Sequence, residues 1–298
     1  MADKASWNFA EGDEIVPGQR AMRSLGGGNT FEVYLARDEK RLALVACKLV
    51  RPDQVAEARA LRMLRRESRM LARLSHPAII RVLETTLEGP RPHLLMEYAE
   101  RGTLRARLRR RGPLPLERLL PLALQLGAAL HYLAREGVVH LDVKPGNIAL
   151  DSSPRLIDLS VARSLERAER IRRPVGTAAY MAPEQCAPGQ RGTIGSPADV
   201  WGMGMSLYEA VSGALPFPRS AARDAAGAPR YPQLTDTPAT LAGAVPAALA
   251  VVIMQCLAPD STARPTAAQV VRSLEALQAS EARTAAAVTA SRNSSRPS

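Results

Sequence analysis

Lysine is nearly missing from this chain. Of its 40 basic residues only four are lysine, Lys4, Lys40, Lys48 and Lys144, and the rest are arginine. With so many alanines, that bias fits GC-rich coding and by itself implies no function. It does make the retained lysines informative, because each marks a place where a compact ammonium replaces the default planar fork. Cysteine is scarce as well. Cys47, Cys186 and Cys256 are widely spaced, odd in number and form no C-x-x-C, which excludes a disulfide scaffold and a zinc site. Aromatic residues make up 4%, and none interleave with the arginine clusters, so the net charge of +11 comes without a stacking surface for nucleic acid. The most apolar stretch, 247–258, falls short of the roughly 20 residues that span a bilayer and reads as a buried core helix. The start, M-A-D-K-A-S-W-N, lacks a signal peptide's apolar region. These absences point to a soluble, cytoplasmic protein. Hydrophobic content of 46% in 298 residues excludes wholesale disorder and allows one large domain or two modest ones.

Residues 1–19 are polar and read as a lead-in. From 20 to 96 the pattern is mostly strand: Phe31, Val33 and Leu35 share one face, 42–50 reads as a buried strand, and Ile79–Leu83 and His93–Tyr98 read as two more. Between them Leu61, Leu64, Leu71 and Leu74 recur at helical spacing over 57–74. From 97 to 279 helices dominate, with candidates at Leu116–Glu136, Asp199–Ser212, Ala247–Ala258 and Thr266–Ala279. Residues 140–190 are loop-rich. The tail, 280–298, has no periodicity and is expected to be disordered. No internal repeat is present.

Three segments carry chemistry. Leu25-Gly26-Gly27-Gly28-Asn29-Thr30-Phe31-Glu32-Val33 is a glycine-rich turn between strands, whose backbone can approach a polyphosphate; alone it is an ordinary tight turn. Lys48 then lies inside the apolar strand 42–50, where a charge is costly without an anion. Glu67 sits mid-helix among Arg65, Arg66 and Arg69, which would read as a solvated face were it not for Lys48. The decisive run is His140-Leu141-Asp142-Val143-Lys144-Pro145-Gly146-Asn147, followed by Ile157-Asp158-Leu159-Ser160. An aspartate can accept a hydroxyl proton, a lysine can neutralise a transferring phosphoryl group, and Asn and Asp oxygens suit Mg²⁺.

In this order the motifs resemble the eukaryotic-like, bacterial Hanks-type Ser/Thr protein kinases over about residues 20–278. The resemblance implies an α+β fold of two lobes, a small β-rich N-lobe with one main helix and a larger helical C-lobe. It implies ATP as phosphoryl donor with Mg²⁺, or Mn²⁺ in its place, and Ser/Thr hydroxyls of proteins, its own included, as acceptors. Leu25, Gly26, Gly27 and Gly28 then correspond to the nucleotide loop, and Lys48 and Glu67 to the phosphate-binding lysine and its helix partner. Val33, Ala46 and Ala149 would line the adenine site, with Met96 as gatekeeper and Glu97 and Ala99 as hinge. Asp142 matches the catalytic aspartate, Lys144 the phosphate-facing lysine, and Asn147 and Asp158 the metal ligands. Asp199 would anchor the catalytic loop. Ala182-Pro183-Glu184 closes the activation segment, with Arg264 as partner of Glu184, and Gly176-Thr177 points to Ser/Thr rather than Tyr acceptors.

The chain departs from the family pattern at four places. Phe31 replaces the third loop glycine, Leu141 replaces an arginine that reads activation-segment phosphate, Ser160 replaces the glycine after Asp158-Leu159, and Ala149 is small for the adenine floor. They motivate an alternative, a pseudokinase acting as a nucleotide-binding scaffold, which the intact Lys48, Glu67, Asp142, Asn147 and Asp158 oppose. Arginines at 163, 167, 170, 172 and 173 suit acidic substrates or partners. No nucleic acid is expected, and oligomeric state is open. Many bacterial members continue into a membrane span and sensor, so a sequence with neither is expected to be a soluble kinase or a fragment. Tail hydroxyls at Thr284, Thr289, Ser291, Ser294, Ser295 and Ser298 offer autophosphorylation sites.

Overall fold

The computed structural model describes residues 5–217, 231–241 and 245–294, without the side chains of 281, 282 and 284–294. Lys4, Ser295, Ser298 and the side chains of the other tail hydroxyls therefore lie outside the described residues. The chain forms two compact units, Met1–Arg101 with Leu156–Val161, and Gly102–Arg155 with Ala162–Ser298.

The first unit is a six-stranded sheet and one long helix. Its elements are β1 (Glu14–Val16), β2 (Gln19–Gly27), β3 (Phe31–Asp38), β4 (Ala43–Val50), α1 (Ala58–Arg73), β5 (Val82–Thr86) and β6 (His93–Glu97). All neighbours are antiparallel, in the order β1-β2-β3-β4-β6-β5. Val45, Cys47 and Leu49 of β4 join Ile15, Tyr34, Ala36 and Leu95 in a core on one face. Side chains alternate along a strand, so Ala46 and Lys48 point to the opposite face. There α1 packs, with Ala60, Leu64, Glu67, Ser68 and Leu71 buried as a helical stripe. Glu67 is thus on the covered face of α1, not among solvated arginines.

Three expectations need correction in this unit. Residues 1–19 are no mere lead-in, because β1 and the start of β2 lie there, and Trp7 and Phe9 pack on the core. The strand expected at Ile79–Leu83 begins only at Val82. His76 takes up the preceding amides in a turn, its ring accepting from Ala78 N–H and its carbonyl from Ile79 N–H. Ile80 N–H and Ala78 C=O then bond to Leu156, which draws Leu156–Val161 into this unit. The first stretch of this unit runs to Arg101 rather than to residue 96.

The second unit is helical. It comprises α2 (Leu104–Arg111), α3 (Leu116–Arg135), β7 (Val138–Val139), β8 (Ile148–Ala149), β10 (Arg163–Ser164, paired with β7), α4 (Leu165–Glu169), α5 (Pro183–Cys186), α6 (Ser196–Ser212), α7 (Ala247–Cys256) and α8 (Ala267–Ser294). At β9 (Arg155–Leu156) the chain passes back into the first unit. The arginine-rich stretch at 101–111 forms α2, started by the Thr103 hydroxyl accepting from Ala106 N–H at 3.3 Å. The tail, expected to be disordered from residue 280, continues as α8 through Ser294, consistent with its alanine-rich composition. Among the described residues no helix is long and apolar enough to cross a membrane.

Central α6 is buried nearly all round, with Trp201, Met203, Met205 and Leu207 inside, and it packs against α3 and α7. Gly202 is where this helix meets the loop that carries Val143. A Cβ there would stand 2.8 Å from the Val143 carbonyl oxygen and 2.9 Å from its Cβ. Gly202→Ala must therefore push the loop or the helix aside. A stability loss of about 1–3 kcal/mol is expected, read as a lowered midpoint in denaturant unfolding.

Candidate active site

In the first unit a buried ammonium holds two carboxylates. Lys48 Nζ donates to Glu67 Oε1 and Oε2 at 2.8 and 2.7 Å, and to Asp158 Oδ1 at 2.8 Å. Lys48 and Glu67 are almost fully enclosed, whereas the Asp158 side chain keeps 39% of its surface exposed. Burial alone would lower the Lys48 pKa, but the Asp158 and Glu67 charges outweigh it and raise it. Burial likewise pushes Glu67 upward against the pull of Lys48, with Asp158 adding repulsion. The ammonium therefore stays charged, with one exposed carboxylate beside it.

Asp158 has φ 63°, a left-handed conformation that Asp tolerates better than most residues. Around it, Leu159 is fully buried, Ser160 N–H donates to Asp158 Oδ1 at 3.3 Å, and Arg66 donates to Ser160 O at 2.5 Å. The arginine fork from α1 thus holds the position where the family carries glycine. Phe31, the other departure here, is buried, and its ring centroid lies 4.8 Å from Lys48 Nζ.

The glycine-rich turn joins β2 to β3, with Gly28 N–H closing on Phe31 O at 2.9 Å. A Cβ at Gly27 would collide with the Phe31 carbonyl, so only glycine fits there. Strand register sets Val33 opposite Lys48, and Ala46 opposite Met96. Leu25 is partly exposed, Ala46 and Met96 are buried, and Ala99 follows β6 in irregular chain. Glu97 N–H already donates to Arg81 O at 3.1 Å, and its carboxylate pairs with Arg81.

In the second unit a separate cluster forms around Asp142. Its Oδ1 accepts Thr177 N–H at 2.9 Å, and its Oδ2 accepts Lys144 Nζ at 2.6 Å and Asn147 Nδ2 at 3.1 Å. Lys144 also donates to Thr177 Oγ1 at 2.6 Å, and Asn147 Nδ2 to the Asp142 carbonyl at 2.9 Å. The amide nitrogen of Asn147 is committed to Asp142, which leaves its side-chain oxygen as the acceptor. Ala149 is buried in β8.

The loop carrying Asp142 is held from behind. Asp199 on α6 accepts His140 N–H at 2.7 Å and Leu141 N–H at 2.8 Å. Its burial pushes its pKa up to about 7 in spite of those two bonds. Leu141, buried and at φ 68°, offers its carbonyl to Gln185 Nε2 at 2.8 Å. Gln185 also reaches Val175 O at 2.9 Å, tying this loop to the segment before Thr177. Glu184 and Arg264 form a two-pronged pair at 2.6 and 2.9 Å, both fully buried.

The structure therefore brings Lys48, Glu67 and Asp158 together in one unit, and Asp142, Lys144, Asn147 and Thr177 in the other. Sequence reasoning overlooked several supporting groups. Arg66 read as a solvated arginine, and Gln185 carries no signal beyond its place after Ala182-Pro183-Glu184. Arg105 of α2 was one member of an arginine cluster, yet it lies against Tyr180 and pairs with Glu209 at 3.9 Å, while Tyr180 donates to Glu209 at 2.5 Å. Burial, then Glu209, raises the Tyr180 pKa. Burial raises the thiols too, Cys186 and Cys256 to about 12, so they are inert packing groups.

The chain belongs to the protein kinase domain family, whose model matches residues 20–274. It is 34% identical over 203 residues to serine/threonine-protein kinase PknB of Mycobacterium leprae, covering 65% of this chain and 32% of that one. It is 32% identical over 263 residues to serine/threonine-protein kinase pkn2 of Myxococcus xanthus (84% and 31% covered). With the DNA damage-responsive serine/threonine-protein kinase RqkA of Deinococcus radiodurans it shares 34% over 265 residues (85% and 38%). The matched region thus spans about a third of the length of these relatives.

The Glu184–Arg264 pair gives a direct test of the scaffold. Glu184→Ala leaves a buried guanidinium without its anion and should cost about 3–5 kcal/mol in chemical denaturation. The double variant Glu184→Leu, Arg264→Met should recover most of that loss.

Proposed function

We propose that this protein is an ATP-dependent Ser/Thr protein kinase, transferring the γ-phosphoryl group to protein hydroxyls, including its own. The observation that carries the reading is the Asp142 cluster. One carboxylate oxygen is oriented by Thr177 N–H and the other by Lys144 and Asn147. Asp142 so held would orient the acceptor hydroxyl and take its proton, while Lys144 offsets charge on the transferring group. Lys48, kept charged and oriented by Glu67, would bind the α- and β-phosphates. Val33, Ala46, Met96 and Ala149 would line the base, with backbone groups of Glu97 and Ala99 as hinge contacts, the Glu97 N–H itself donating to Arg81 O.

Mg²⁺ fits the donor set. Among the described residues no group of three or more His, Cys, Asp or Glu forms a metal cage. Mg²⁺ ordinarily uses one or two protein oxygens with water and substrate phosphates, and Asp158 Oδ and Asn147 Oδ1 would supply them. When bound, the ion neutralises phosphate charge. The relatives named serine/threonine-protein kinases support the acceptor class. A reducing, ATP-containing cytoplasm suits three unpaired thiols.

Crowded positive charge favours acidic sequences around the acceptor. Burial lowers the Arg163 pKa and repulsion from Arg167 lowers it further. Exposed Arg172 and Arg173 extend it, although Arg170 is paired with Glu166.

Asp142→Asn should abolish labelling from γ-³²P-ATP, by on the order of a hundredfold or more, with an unfolding midpoint near the parent's; Lys48→Met should abolish it too, with a lowered midpoint because buried Glu67 loses its cation. Nucleotide binding without transfer in the unaltered chain would support the scaffold alternative instead. On a peptide array, acidic flanks should raise phosphorylation, and Arg172→Glu with Arg173→Glu should reduce that preference.

A further inference from the structure

Residues Ala5–Phe9 form neither strand nor helix, yet they are strapped to the sheet of the first unit. Ser6 Oγ donates to Glu32 Oε2 at 2.9 Å, Trp7 N–H to Glu32 Oε1 at 3.3 Å, and the Trp7 indole to Val50 O at 2.9 Å. Trp7 stacks on Phe9 at 6.1 Å, Phe9 meets Tyr34 edge-on at 5.3 Å, and the Arg91 guanidinium covers both strap rings at 5.2 and 4.9 Å. Such part-buried contacts hold a short irregular segment against its own entropy.

The strap converges on Glu32, which is 3% exposed, and through it on Arg51. One guanidinium nitrogen of Arg51 donates to both Glu32 Oε1 and Ala5 O at 2.9 Å. Its Nε donates to Gly28 O at 2.8 Å, and its backbone N–H to Thr30 O at 3.0 Å. A single arginine thus ties the strap, a buried carboxylate and both sides of the glycine-rich turn. We propose that the strap Ala5–Phe9, acting through Glu32 and Arg51, positions this turn and so sets the affinity for a nucleotide's phosphates. The affinity part rests on the nucleotide reading above; the mechanical part does not. Arg51 is a positioning residue, since pinning Gly28 lowers the ordering cost of phosphate binding.

The test compares the full chain with Trp7→Ala, Arg51→Ala and Arg51→Lys. Without nucleotide, hydrogen exchange over 26–31 should accelerate roughly tenfold in the two alanine variants, the scale of one lost charged hydrogen bond. Exchange at Leu94–Met96 should stay unchanged. Arg51→Lys keeps a cation on Glu32 but loses the fork, so it should retain the parent melting temperature while still loosening the turn. ATP affinity should fall on the order of tenfold with adenosine affinity unaltered. Unchanged exchange over 26–31 in Trp7→Ala and Arg51→Lys overturns the proposal, as does equal weakening of adenosine and ATP. Should the unaltered chain bind no ATP, the nucleotide reading fails by itself and the exchange data still decide the coupling.

Discussion

A cation sealed inside a sheet sets the terms for the first unit. Lys48 is enclosed on β4, and an ammonium there is tolerable only if anions replace the water it has lost. Glu67 supplies both oxygens, which requires α1 to lie across that face with this residue on its buried stripe. Asp158 supplies a third oxygen from a segment distant in sequence, and Leu156 binds that segment beside Ile79–Ile80. Strand alternation, helix phase and the return of the chain all meet the same electrostatic demand.

The second unit solves a related problem with backbone amides as well as charges. Asp142 sits on a loop that contains a strained residue, Leu141 at φ 68°. Such a conformation persists only where surroundings over-determine it. Asp199 takes the amides of His140 and Leu141, and Gln185 takes the Leu141 carbonyl. Gly202 lets α6 come close enough for Asp199 to reach. Leu141 itself is buried, so the family's usual arginine is replaced here by packing, and Gln185 provides the link to the segment before Thr177.

The departures from the family pattern are absorbed locally. Phe31 turns inward against Lys48, and the carbonyl of Ser160 is gripped by Arg66. Neither change removes a charged group from the two clusters. The glycine-rich turn is steadied from outside by Arg51, and that support depends on residues which look like polar lead-in when read alone.

What the amino-acid order determines is local. Helical periodicity located α1 and α3, alternation located β3, apolar runs located β4 and α7, and motif spacing singled out Lys48, Glu67, Asp142, Lys144, Asn147 and Asp158. Rare lysine against an arginine background was itself a signal, because composition bias makes each exception a choice. Tertiary contact alone decided the rest. Whether Glu67 or Arg66 faces inward depends on helix phase against a sheet, and Trp7, Phe9 and Arg51 acquire a role only through partners far along the chain. The start of β5 moved because a histidine turn used the preceding amides. Leu156–Val161 belongs to the first unit because it folds back by non-local hydrogen bonds, which no window of sequence contains.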